Sequence, residues 1–186
     1  MTYATRQSSA VRTAKQAAIE TTIGASPKLY LYDDAPSAAM TDADPGNAIA
    51  NGTLPADWAT QAAGVLSKSG TWTLTGTNPG GYAKSFRLKD GAGTVNHWDG
   101  LVSEPWAGGK TYSVGMQVHN GGNVYGCTTA GTAAATGGPT GTGTGITDGT
   151  AVWAYLGAQA MTIDNSNIAN GQQITVNTFT NTDGNA

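Results

Sequence analysis

A mainly β fold, built as a sandwich or barrel of short strands, is what this sequence predicts, and three observations carry it. Glycine occurs 27 times and only 11% of the residues are charged, a composition suited to turns and short strands rather than long helices. Short apolar or alternating runs recur at close spacing, each bounded by Gly, Asn, Asp or Pro. Helical character is confined to one segment near the start of the chain.

That segment spans residues 5–24. Between Ser8 and Thr22 it is rich in Ala and Gln and free of Pro and Gly, and Val11, Ala14, Ala18 and Ile19 form a weak apolar face. Gly24 and Pro27 stop it. So narrow a face is expected to lie against a sheet or a neighbouring subunit rather than found a core. Strands follow: Leu29 to Tyr32, then, after a polar loop from Pro36 to Gly46, Ile49 to Leu54, Gly70 to Thr75, Ala83 to Leu88 and Val95 to Trp98. The last runs from Gln173 to Thr180, with Ile174, Val176 and Thr178 on one face and Gln173, Thr175, Asn177 and Phe179 on the other.

The stretch from Pro105 to Gly157 has its own character. Trp106 opens it, Trp153 and Tyr155 close it, and Asp148 is its one charge beyond Thr111. A Gly/Thr-rich tract from Gly131 to Gly145 cannot build a packed core and reads as a long exposed loop restrained at its ends. The chain, 186 residues long, thus divides into a discontinuous body, residues 1–104 and 158–186, and an inserted β module, residues 105–157. This length is enough to bury a core without staples.

Charge narrows the function. The net charge is −3, and no Lys or Arg follows Lys110, where only Asp148, Asp164 and Asp183 are charged; nucleic acid, which is bound by neutralising phosphates, is not an expected partner. No run approaches the roughly 18 apolar residues of a membrane span, and Met1 to Arg6 lack the apolar core of a signal peptide. The single Cys127 has no partner for a disulfide or a zinc site and reads as a small buried strand residue.

Catalytic sets are thin. His97 and His119 lie in different segments, and Glu20 and Glu104, the two glutamates, show no acid and base pairing. Asp33-Asp34 and Asp42-x-Asp44 read as a solvated acidic loop rather than a calcium site. No enzyme, cofactor or metal is expected. The stronger signal is aromatic: Trp106, Tyr112, Tyr125, Trp153 and Tyr155 fall within the module. Aromatic faces suit sugar rings or partner surfaces, and they also build small cores. Tyr112, Val118 and Tyr125 are assigned to the core, and Trp106, Trp153 and Tyr155 to an exposed candidate glycan platform.

The order Trp106, Tyr112-x-x-Gly115-x-x-Val118, Gly122-x-x-Tyr125-x-Cys127, Gly138-Pro139 and Asp148-Gly149-x-x-x-Trp153 resembles the small carbohydrate-binding-type β modules of chitin-degrading enzymes and of phage tail and head fibres. The remainder, with its helix, the Lys28-Leu29-Tyr30-Leu31-Tyr32 strand, Phe86-Arg87-Leu88, Asp90-Gly91 and the closing Asp183-Gly184-Asn185-Ala186, resembles tailed-phage capsid decoration, or cement, proteins with jelly-roll-like β-sandwich bodies. These resemblances imply a virion structural protein on the capsid surface, assembled in the host cytoplasm. Its implied partners are the major capsid protein, further copies of itself and, weakly, cell-surface glycans. A host-adsorption carbohydrate-binding or tail-fibre component is the alternative. The inserted module is a departure from the simple decoration proteins.

Overall fold

The computed structural model describes residues 6–183; residue 5 of the expected helix and residues 184–186 of the expected tail lie outside them. The fold is mainly β, with 46% of the described residues in strands and one helix among them. That helix, α1 (Ser9–Ile23), starts where the Ser8 hydroxyl accepts a bond from the Val11 N–H at 3.3 Å, as an N-cap does. It ends at Gly24, whose φ of 86° suits a residue without a side chain and whose N–H reaches Glu20 O.

The strands of the first half are β1 (Lys28–Tyr32), β2 (Ala48–Thr53), β3 (Ala59–Ala62), β4 (Val65–Lys68), β5 (Thr73–Gly76), β6 (Gly81–Tyr82), β7 (Ser85–Lys89) and β8 (Asn96–Pro105). The module supplies β9 (Thr111–Tyr112), β10 (Gln117–Asn120), β11 (Asn123–Thr129), β12 (Gly131–Thr132), β13 (Ile146–Asp148) and β14 (Ala151–Ala158). The chain closes with β15 (Met161–Ile163), β16 (Asn167–Ile168) and β17 (Gln173–Thr182).

A closed seven-strand barrel organises them. Its order is β8-β7-β1-β2-β5-β17-β15 and back to β8, closure coming from β15, which pairs antiparallel with β17 and parallel with β8. Closure leaves no free sheet edge around the ring. Leu29, Leu31, Leu74, Phe86, Leu88, Val102, Ile163 and Ile174 line one core cluster, as the alternation of a strand requires. Phe179 sits among aromatic rings there, 5.4 Å from Trp72, 5.7 Å from Phe86 and 5.1 Å from Trp98 by centroid. The face expected for Phe179 was the polar one; a register shift between Thr162 and Ile163 against β17 reverses the alternation after Val176 and turns the ring inward. A bulge of this kind moves every later side chain to the opposite face.

The helix lies on the β3–β4 hairpin and splits the expected face: Ile19 packs against the core beside Ile23, while Val11, Ala14 and Ala18 turn outward. Only Gln16 and Ile23 are buried, whereas Val11 is 48% exposed and Ala14 and Ala18 face solvent. Its inward side is held by polar contacts: Asn181 Nδ2 to Gln16 Oε1 at 3.0 Å, Arg12 Nη1 to Asp183 O at 3.0 Å, Gly64 N to Thr13 Oγ1 at 3.1 Å, and Lys15 with Asp183 at 3.2 Å.

Outside the barrel, fully buried Arg87 clamps the expected loop. Its Nη1 donates to the Asp42 and Ala43 carbonyls and to Asp44 Oδ1, and Nη2 to Asp99 Oδ2; Lys89 Nζ holds Asp44 Oδ2 at 2.8 Å. Burial works to raise the Asp44 pKa, but the bonds from Lys89 and Arg87 outweigh it and hold the carboxyl below its usual range.

Two outcomes are expected. Phe179→Ala should lower the free energy of unfolding in urea by about 3–5 kcal/mol, the range for deleting a buried aromatic ring. Because the Asp44 pKa is depressed in the folded state, its contribution is present at neutral pH and lost as pH falls through that value, below about pH 4. Pepsin cleavage in residues 36–44 should therefore rise on acidification, and Asp44→Asn should expose the same loop at neutral pH to a neutral protease.

Candidate functional site in the aromatic module

The module is founded on the end of β8. Glu104 and Pro105 pair in parallel with Val118 and His119 of β10, which leads by hairpin to β11 and on to β14 and β13. One face of this sheet carries the second core cluster: Tyr112, Met116, Val118, Tyr125, Cys127, Ala133, Ala151 and Trp153, with Tyr82 of the barrel side packed against it.

Tyr112, Val118 and Tyr125 are buried at 1% exposure or less, as their assignment to the core expected, and Cys127 is buried in β11 with its thiol pKa pushed up by burial. The expected platform is corrected at one residue. Trp153 is fully buried, edge-on to Tyr112 at 5.0 Å, and offers no face to a ligand. It lies between Ile146 and Cys127 in the sheet register, so its indole fills the centre of the small core. Trp106 and Tyr155 are half-buried. The Trp106 indole N–H donates to Asp148 Oδ2 at 2.7 Å, and Tyr155 packs edge-on to Tyr125 at 6.1 Å.

The Gly/Thr tract is tied down along its length, not at its ends alone. Asn120 Nδ2 donates to the carbonyls of Gly137 at 3.0 Å and Pro139 at 3.1 Å, the Tyr125 hydroxyl to Gly141 O at 3.0 Å, and Tyr155 N to Gly143 O at 2.9 Å. The tract therefore crosses from the β14 edge to the end of β10 as a strap. Gly138 is required: a Cβ there would meet Asn120 Nδ2 at 2.9 Å and Trp106 Cδ2 at 3.0 Å, and its φ of +76° disfavours any side chain. Asp148 fixes the base of the strap, accepting from Ala134 N at 3.0 Å as well as from Trp106.

Sequence reasoning named neither Asn120 nor Gly138 as site residues. Asp148 had a signal, since a lone carboxylate in an otherwise uncharged stretch has to be solvated or paired; it is 5% exposed and paired twice.

The remaining polar groups hold the module to the barrel. Glu104, 1% exposed, accepts from Ser166 N at 2.9 Å and Ser166 Oγ at 3.1 Å and is ion-paired to Lys110. His119 Nδ1 lies 3.3 Å from Ser103 Oγ, and burial pushes the imidazole pKa down. Both carboxylates thus spend their acceptor capacity on tying segments of chain together. In the acidic loop, Asp33 accepts from Asn47, Asp34 from Ala35 N and Asp42 from Ala39 N, and among the described residues no three metal-ligating side chains converge. A shallow cleft lies elsewhere, between α1 and β8, lined by Ala18, Ile19, Thr22, Ile23 and His97.

What the site can do is present two half-covered rings, Trp106 and Tyr155, beside hydrogen-bonding amides and hydroxyls, which suits stacking on the apolar face of a polar ligand. Trp153→Ala should act on stability, costing about 3–5 kcal/mol in chemical unfolding followed by near-ultraviolet circular dichroism. Asp148→Ala should cost less, about 1–3 kcal/mol for two donors left unpaired, and should speed amide exchange at Ala134.

Compared with family models, with curated proteins and with solved structures, the chain matches none of them.

Proposed function

We propose that this protein is a structural component of a tailed-phage virion, decorating or cementing the capsid exterior. In this reading it docks on major capsid subunits by its helix side, neighbours copies of itself on the lattice, and displays a module that binds cell-surface glycans weakly. The closed barrel takes the place of the jelly-roll-like sandwich of the decoration proteins that the sequence resembles.

The observation that carries the reading is the outward Ala/Val stripe of the helix. An amphipathic helix on a globular body turns its apolar stripe inward; here Ile19 and Ile23 do so, but Ala10, Val11, Ala14 and Ala18 face solvent while Arg12, Gln16 and Glu20 face the protein. A stripe of small and apolar residues left outward is suited to cover by another subunit. Many copies on a symmetric shell would add weak contacts into avidity, both to the lattice and to glycans. The sparse charge of the chain fits an interface made by shape and backbone hydrogen bonding, insensitive to salt.

Co-sedimentation with undecorated capsids tests it. The full chain should pellet with capsids, and the double variant Ala14→Glu/Ala18→Glu should bind at least tenfold more weakly while keeping its circular dichroism spectrum. Trp106→Ala should pellet as the parent does. A parent chain that stays in the supernatant, or a double variant that pellets equally well, would sink the reading.

A further inference from the structure

We infer that the Gly/Thr strap is a closed lid against Trp106 of the module, and that it must swing aside before a glycan can reach the full face of that ring. The inference rests on the glycan-binding reading of the module and adds to it a gate built from the chain itself.

Three features of the strap point to a cover that opens rather than to a fixed part of the core. Between Ala134 and Gly145 the one buried residue is Pro139, so closure rests on little apolar area. The strap is held instead by its own carbonyl oxygens, at Gly137, Pro139, Gly141 and Gly143, on donors from three neighbouring strands. Two side-chain donors, Asn120 Nδ2 and Tyr125 Oη, would be freed by opening and are the kind that a sugar hydroxyl can satisfy in turn.

Glycines at 137, 138, 141, 143 and 145 allow this segment to move without rearranging the sheet. Segments with few buried apolar contacts and exposed hydrogen bonds open locally at low cost while the rest stays folded. The strap acts as an internal ligand: it occupies donors and lies against Trp106 at Gly138, and apparent affinity for an external ligand falls by the fraction of molecules in which it is closed.

Gly138→Ala is the discriminating variant, because its Cβ would press on Trp106 and Asn120 in the closed strap and removes no donor or ring. Tyr125→Phe is the second, deleting the hold on Gly141 while keeping the ring. Hydroxyl-radical footprinting read by mass spectrometry reports opening, and titration with a hexasaccharide of N-acetylglucosamine reports binding. Both variants should show severalfold more labelling of Trp106 and unchanged protection of Trp153 and Tyr112, and Gly138→Ala, which keeps both freed donors, should bind the sugar severalfold more tightly than the parent. Unchanged labelling in both variants, or raised labelling of Gly138→Ala with sugar affinity equal to a measurable parent affinity, would overturn the lid. Raised labelling with no sugar binding by any of the three chains would support an opening strap and overturn the glycan reading alone.

Discussion

The structure depends on one strand. Within ten residues β8 pairs successively with β7, with β15 and with β10; the first two pairings belong to the barrel and the third begins the module. Its buried end is secured by Glu104. A carboxylate taken out of water is costly unless paired and hydrogen-bonded, and here the Lys110 ammonium answers from the module and Ser166 from the β15–β16 connection. The charge therefore fixes where the two cores meet. Gln117 adds to the joint, its side-chain amide oriented to donate to the Lys84 and Val102 carbonyls.

If the module hung on a flexible linker, its position relative to the barrel would vary with linker length and composition. A shared strand with an ion pair on the buried Glu104 carboxylate and Tyr82 packed into the module core instead sets the angle between α1 and the half-covered rings of Trp106 and Tyr155. The proposed repeated display on a lattice would use that single frame.

Much of this was legible in the sequence, and the gaps have physical causes. The helix, its stop at Gly24, six of the seventeen described strands (β1, β2, β5, β7, part of β8 and β17) and the separate character of the module follow from periodicity and turn residues. Periodicity does not say which helix face a body will choose: polar contacts from Asn181, Gly64 and Asp183 turn Val11, Ala14 and Ala18 outward, while Ile19 keeps its contact with the core. Only Val95 to Trp98 of β8 reads as a strand because Gly100, Ser103, Glu104 and Pro105 break its apolar alternation, each satisfied by tertiary partners instead. Barrel closure by β15 rests on three residues, Met161–Ile163, too short a run to stand out. In the site, residue type marked the aromatic set but not its facing: Trp153 shares its side of β14 with buried Ala151, and the carbonyl-held strap leaves no side-chain pattern to read.

The most direct measurement is urea unfolding followed by hydrogen exchange and mass spectrometry, comparing protection in β1 and β7 of the barrel with protection in β11 and β14 of the module. Coupling through β8 predicts that both lose protection in one transition in the parent chain, and that Glu104→Gln separates them, the module unfolding at lower urea. Separate transitions already present in the parent, or a single undivided transition in Glu104→Gln, would contradict the account.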